Sequence, residues 1–237
     1  MKRKLFILLP ALLLSLTMTA ELKPLRVLVL GDDPMMVSDE ATGSAGYATM
    51  LQPLFDEAVT VNVLASADLL PNDAAELLAP ARKGDVVLLC KRPVEMEVED
   101  LTLADVYLNQ LVPIQQAAQK KGVKIIWLTP VCPRYFTAEG EQVHRLGVYP
   151  DVVRRMCQRD MLPIVDVEAL TFDWLKKTGQ EGSAPAFVPV TPAIPAAADK
   201  AAREGYSLTE AGAQHVAALI ADAIRADKRN ILNKRLR

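Results

Sequence analysis

The chain has 237 residues, 51% of them hydrophobic, and a formal net charge of −2. That length suits one domain with a sizeable core, and the acidic balance speaks against a nucleic-acid partner, which needs clustered Lys and Arg on a basic surface. An odd count of three cysteines, Cys90, Cys132 and Cys157, leaves at least one thiol outside any internal disulfide, and their spacing matches no metal motif.

Taken from the N-terminus, Lys2, Arg3 and Lys4 precede an apolar run over residues 5–16 that contains Pro10 and gives way to Thr17, Thr19 and Ala20. This is the pattern of a secretory signal peptide, expected to be cut after Ala20; a retained anchor is the weaker reading, because a spanning helix needs about 20 apolar residues. A periplasmic or secreted domain over 21–226 follows as an expectation, with no transmembrane segment after cleavage. The basic tail over 227–237, with Lys228, Arg229, Lys234, Arg235 and Arg237, is expected to be a solvated, frayed end.

Short apolar runs rich in β-branched residues recur at 26–30, 59–64, 85–90, 123–128 and 162–165. They are nearly continuous in hydrophobicity, which predicts parallel strands covered on both faces. Between the first two, Tyr47, Met50, Leu51 and Leu54 have helical spacing over 46–55; a short helical piece is expected between Pro71 and Pro80. Residues 101–120 repeat Leu103, Tyr107, Leu111 and Ile114, with a kink expected at Pro113. Two more helices are read at 152–159 and 167–177. The last helix is capped by Thr209 and carries the apolar stripe Val216, Leu219, Ile220 and Ile224. Strands alternating with helices predict an α/β fold around a doubly wound parallel sheet. The proline-rich stretch over 179–205 is too long for a simple turn, and long loops at the C-terminal edge of a parallel sheet are where ligands usually sit.

Several motifs sit at those edges. The first strand ends in Gly31-Asp32-Asp33-Pro34, and the last helix is entered through Glu204-Gly205-Tyr206-Ser207-Leu208-Thr209-Glu210-Ala211-Gly212-Ala213. In the middle stand Thr129-Pro130-Val131-Cys132-Pro133-Arg134-Tyr135-Phe136, then Gly147-Val148-Tyr149-Pro150, Ile164-Val165-Asp166-Val167 and Gly182-Ser183. In order and spacing this set resembles the SGNH (GDSL-type) hydrolases, most closely the rhamnogalacturonan acetylesterase-like branch of carbohydrate esterases, over residues 25–226. The resemblance implies a three-layer α/β/α sandwich, flavodoxin-like, with a five-stranded parallel sheet and a site at the C-terminal ends of its strands.

It also implies an ester hydrolase: a serine after the first strand, a histidine before the last helix, an aspartate three residues ahead of that histidine, and an oxyanion hole formed by a backbone amide, a glycine and an asparagine. An alcohol is a poor nucleophile until a base takes its proton, and the oxyanion needs donors aimed at it. Carried onto this chain, the nucleophile position holds Asp33, the oxyanion glycine is replaced by Ala67 and the asparagine by Val94. The histidine position holds Ser207, and Glu204 stands for the aspartate. Asp33 attacking an ester would give an anhydride, and an alcohol at 207 cannot serve as base near neutral pH. His144 and His215 are read as surface or packing residues.

The expectation is therefore a catalytically inactive relative that keeps the fold and a cleft for an acetylated glycan or a partner protein. The alternative is an active carbohydrate esterase using a non-standard site around Asp33. Candidate ligand-binding residues are Asp32, Asp33, Arg134, Tyr135 and Tyr149. Asp32 is also read as bonding backbone amides in its own strand-to-helix turn. No metal or cofactor is called for, since Asp32 and Asp33 lack a third acidic ligand in the sequence pattern.

Overall fold

The computed structural model describes residues 22–66, 68–93, 101–189 and 205–237, with backbone alone at 101–103. The leader over 1–20 and the positions Ala67, Val94 and Glu204 lie outside the described residues.

Five parallel strands form one sheet in the order β2-β1-β3-β4-β5. They are β1 (Leu25–Gly31), β2 (Val59–Ala65), β3 (Val86–Cys90), β4 (Lys124–Leu128) and β5 (Ile164–Val165). Alternate side chains of the central strands enter two separate cores. Val27, Val29, Val86 and Leu88 face one; Leu28, Leu30, Val87 and Leu89 face the other. Against the first core lie α4 (Val167–Ser183) and α5 (Glu210–Ala226); against the second lie α1 (Ala74–Leu77), α2 (Leu101–Lys121) and α3 (Tyr149–Arg159). The chain has the expected α/β/α sandwich. No described helix is long and apolar enough to cross a membrane.

Departures from the expected elements have local causes. The segment at 46–55 is not an α-helix but two 3-10 turns, Tyr47–Met50 and Gln52–Leu54, with Pro53 inside the second. Helix α2 runs unbroken through Pro113, and α3 begins three residues early because Pro150 fits a first turn, where no amide proton is needed. Helix α4 continues past 177 to Ser183, bending at Gly179. Strand β2 is an edge rather than a strand covered on both faces: Thr60, Asn62 and Leu64 are exposed. The Gln52 amide covers part of that edge, donating to Val59 O at 3.1 Å and accepting from Val61 N at 2.7 Å.

The tail over 227–237 does not fray. Leu232 is fully buried and Leu236 packs on the same core. Leu236 forms an isolated bridge with Phe55, Arg237 N donates to Leu54 O, and the Arg235 guanidinium reaches Lys23 O at 2.8 Å. Two leucines spaced along a basic segment suffice to dock it, so the tail belongs to the domain body.

Candidate functional site

The head of β1 is the place where the sheet's C-terminal loops meet. Gly31 ends the strand, and a Cβ there would lie 2.1 Å from the Met36 sulfur, so the fully buried Met36 side chain occupies the space over the strand end. Asp32 follows, fully buried. Its Oδ2 accepts from Leu70 N at 2.9 Å and its Oδ1 from Arg92 N at 2.6 Å. It does bond backbone amides, yet not those of its own turn: it ties the loops after β2 and β3 to the first strand. Burial raises its affinity for a proton, against the pull of those amides and of the Lys91 and Arg92 charges.

Asp33, the next residue, is 1% exposed. Oδ1 accepts from Met35 N at 3.0 Å and caps the 3-10 turn Pro34–Met36, while Oδ2 accepts from Val131 N at 2.8 Å in the loop after β4. Burial pushes its pKa up to about 6, more than the Val131 and Met35 amides draw it down. Both carboxylates therefore face inward onto backbone amides. As ligand-binding candidates, Asp32 and Asp33 are overturned by this burial: neither presents an oxygen to solvent. Among the described residues no group of three or more His, Cys, Asp or Glu is placed to hold a metal ion.

Beside this pair lie two groups that sequence reading passed over. Lys91 is 3% exposed, with Nζ 3.1 Å from Leu70 O; burial lowers its proton affinity although Asp32 opposes the shift. The Tyr47 hydroxyl is buried without a hydrogen-bond partner among the described residues, and burial, with the Cys90 and Asp33 charges adding to it, pushes its pKa well up. Nothing in the local sequence marks either one, because an apolar run ending in Lys91 and a helical-looking Tyr47 are ordinary patterns.

Across the sheet edge, Ser207 is half-buried in the loop that enters α5. Its carbonyl accepts from Val188 N at 2.9 Å, and the next carbonyl, of Leu208, accepts from Ala45 N at 2.9 Å. Thr209 caps α5 as expected, through Gly212 N at 3.2 Å. Gly205 has φ +85, and a Cβ would stand 2.2 Å from Arg134 O, so this loop lies directly on the loop after β4. An alcohol placed here offers no basic nitrogen.

The remaining candidates separate. Arg134 ties its loop to the end of α4 and to the loop before α5: Nε donates to Ser183 Oγ at 3.0 Å, Nη2 to Gln180 O at 2.7 Å, and its backbone amide to Gly205 O at 3.2 Å. Tyr135 is 44% exposed and carries the Arg145 guanidinium 4.3 Å over its ring. Tyr149 is 2% exposed in the second core, edge-on to Tyr107 with centroids 5.6 Å apart, and its burial removes it from any cleft. Cys90, Cys132 and Cys157 are all buried free thiols.

The two histidines are engaged elsewhere. His215, on α5, lies against Trp174 with centroids 4.4 Å apart, and burial lowers its pKa. His144 is bound to Glu168, with Nδ1 and Oε1 2.6 Å apart, and stacks on Phe172.

The chain is 27% identical over 211 residues to the rhamnogalacturonan acetylesterase RhgT of Bacillus subtilis (strain 168), a match covering 85% of this chain and 90% of that protein. No protein-family model matches. Among solved structures, the YxiM protein of Bacillus subtilis superposes with TM-score 0.65 at 18% identity over 89% of this chain; this chain spans 58% of its length. A catalytic mutant of the acetylxylan esterase Axe2 of Geobacillus stearothermophilus superposes with TM-score 0.52 at 16% identity, covering 85% of this chain and 94% of that one. By sequence the chain is similar to a rhamnogalacturonan acetylesterase, and its fold is that of solved acetylxylan-esterase and GDSL-like lipase structures.

Proposed function

We propose that this chain is an exported SGNH-fold protein that no longer hydrolyses esters at the head of its sheet and instead offers its loop edge to an acetylated glycan. The observation that carries the reading is Asp33: at the nucleophile position stands a carboxylate, 1% exposed, with each oxygen already accepting from a backbone amide. Acyl transfer needs a nucleophile in reach of a base, with donors aimed at the oxyanion. A solvent-excluded carboxylate at 33 and a serine at 207 do not supply that set at the head of the sheet. Support for a glycan ligand comes from the acetylesterase relative and from the exposed Tyr135 ring with its Arg145 partner, a surface suited to a sugar face.

The test is acetate release from acetylated pectin fragments by the chain without residues 1–20. No release above buffer is expected, together with chemical-shift changes around Tyr135 on titrating the same fragments. Turnover that disappears in both Asp33→Asn and Asp33→Ala, each confirmed as folded by circular dichroism, would overturn the reading.

A further inference from the structure

His144 sits in the loop between β4 and α3, on the same C-terminal edge of the sheet, and the side chain is 59% exposed. An exposed imidazole ordinarily turns freely, but this one is held on two sides. Its ring lies parallel to Phe172, centroids 3.7 Å apart at 9°, and Nδ1 is 2.6 Å from Glu168 Oε1. The Glu168 side chain is only 3% exposed, and its other carboxylate oxygen is paired with Arg154. Arg154 in turn grips Asp166 and Asp151, each at 2.7 Å. The Glu168 amide donates to Thr129 Oγ1 at 2.8 Å, whose hydroxyl donates to Asp166 at 3.0 Å. A buried, ion-paired carboxylate is costly to assemble and is rigid once formed.

The consequence for the imidazole is a set tautomer. Glu168, paired with a guanidinium, accepts and does not donate, so in the neutral ring Nδ1 carries the proton and Nε2 carries the lone pair. No donor or acceptor among the described residues meets Nε2. A carboxylate fixing Nδ1–H on an imidazole whose side chain is 59% exposed is the base-and-orienter half of a hydrolytic triad, here built from residues at positions unrelated to Asp33 and Ser207.

We propose that His144 is a second reactive site of this molecule, a nucleophile toward activated aryl esters, independent of the crevice at β1. The Nε2 lone pair attacks the acyl carbon, the bond from that carbon to the aryl oxygen breaks, and the phenolate leaves. Nδ1 keeps its proton against Glu168. Water then adds to the acyl-imidazolium and loses one proton to buffer, the N–C bond breaks with its electron pair returning to Nε2, the carboxylic acid departs and gives a second proton to buffer, and the neutral imidazole is restored. Alkyl esters such as acetylated sugars do not react, because an alkoxide is a far poorer leaving group than imidazole and no oxyanion donor assists it. The site thus goes beyond the reading above without depending on it.

His215 is the internal control. It too is exposed, and burial favours its neutral form, but it rests on Trp174, and no carboxylate among the described residues bonds its ring. With p-nitrophenyl acetate and the chain without residues 1–20, phenolate release above buffer is expected in the wild type, in His215→Gln and in Asp33→Asn, and is lost in His144→Gln. After acid quench, mass spectrometry places the acetyl group on the His144 peptide. Glu168→Gln, whose amide oxygen still accepts from Nδ1, retains more of the rate than Glu168→Ala. Wild-type release in His144→Gln, or acetyl found on the His215 peptide instead, would overturn the proposal. Release lost in Asp33→Asn and kept in His144→Gln would overturn both this site and the inactive crevice, whereas pectin-fragment turnover with intact His144 acylation would overturn the crevice reading alone.

Discussion

Replacing Asp33 by asparagine tests how the head of β1 is built. The folded carboxyl has a pKa raised to about 6 by burial, partly countered by the Val131 and Met35 amides; in the unfolded chain an aspartate titrates near ~3.9. The folded state therefore holds the proton more tightly. Its contribution to stability is fully present below pH ~4 and is lost as pH rises through about 6. Two pH units at ~1.36 kcal/mol each give about 3 kcal/mol. The side-chain amide of the Asp33→Asn variant cannot ionise, and it loses one of the two backbone amide bonds at every pH, a constant penalty of roughly 1–3 kcal/mol. The stability of the wild type minus that of the variant should thus fall by roughly 2 kcal/mol between pH 4 and pH 7, most of the full amount. Taking the difference matters, because Asp166 runs the other way: burial alone would raise it, but Arg154 overrides and leaves it low, so its contribution is present at neutral pH and lost on acidification in both proteins. The assay is urea unfolding followed by tryptophan fluorescence at half-unit pH steps. A difference that stays constant across the window would refute the burial of an ionisable group at this position.

Three further outcomes rest on single observations. Met161 is the one described non-glycine residue with positive φ, at 50°, and is 92% exposed, so Met161→Gly should relieve strain without losing packing and raise stability by up to about 1 kcal/mol in the same urea assay. Leu232→Ala should cost roughly 2–4 kcal/mol, an amount a frayed tail would not show, because Leu232 is fully buried in the first core. All three cysteines are buried and free, and burial pushes Cys132 and Cys157 up to about 12, so Ellman's reagent should label none in the native protein and all three after unfolding in guanidinium.

Much of the fold was legible because its signals are local and repeated. Five apolar runs became five strands, and Thr209 with its apolar stripe became the capped last helix. What local pattern does not carry is which distant atom a side chain will meet. Tyr149 looked like a cleft residue beside Arg134 in motif order, yet it is the first residue of α3, and its ring is buried by Tyr107 from another helix. Asp33 stood out in the sequence only by its resemblance to a motif, and its engagement with Val131 spans 98 residues and appears only when β1 and β4 lie in one sheet. His144 carried no signal at all: its partner Glu168 is 24 residues away, in the first turn of the next helix but one.

The build of the head of β1 and its chemistry are linked through the number of oxygen atoms at position 33. Asp32 spends its two oxygens on the loops after β2 and β3, and Asp33 spends its two on its own turn and the loop after β4. Two carboxylates thus stitch three neighbouring loops to one strand end. A serine at this position would bring one oxygen on a shorter arm; it can cap Met35 N, but the Val131 amide would then be left as a buried donor, at a cost of roughly 1–3 kcal/mol. A hydroxyl poised for attack and a clamp on the β4 loop are competing uses of the same position. In this chain the clamp has won, and restoring an alcohol there without a new acceptor for Val131 would loosen the loop that carries Arg134 and Tyr135.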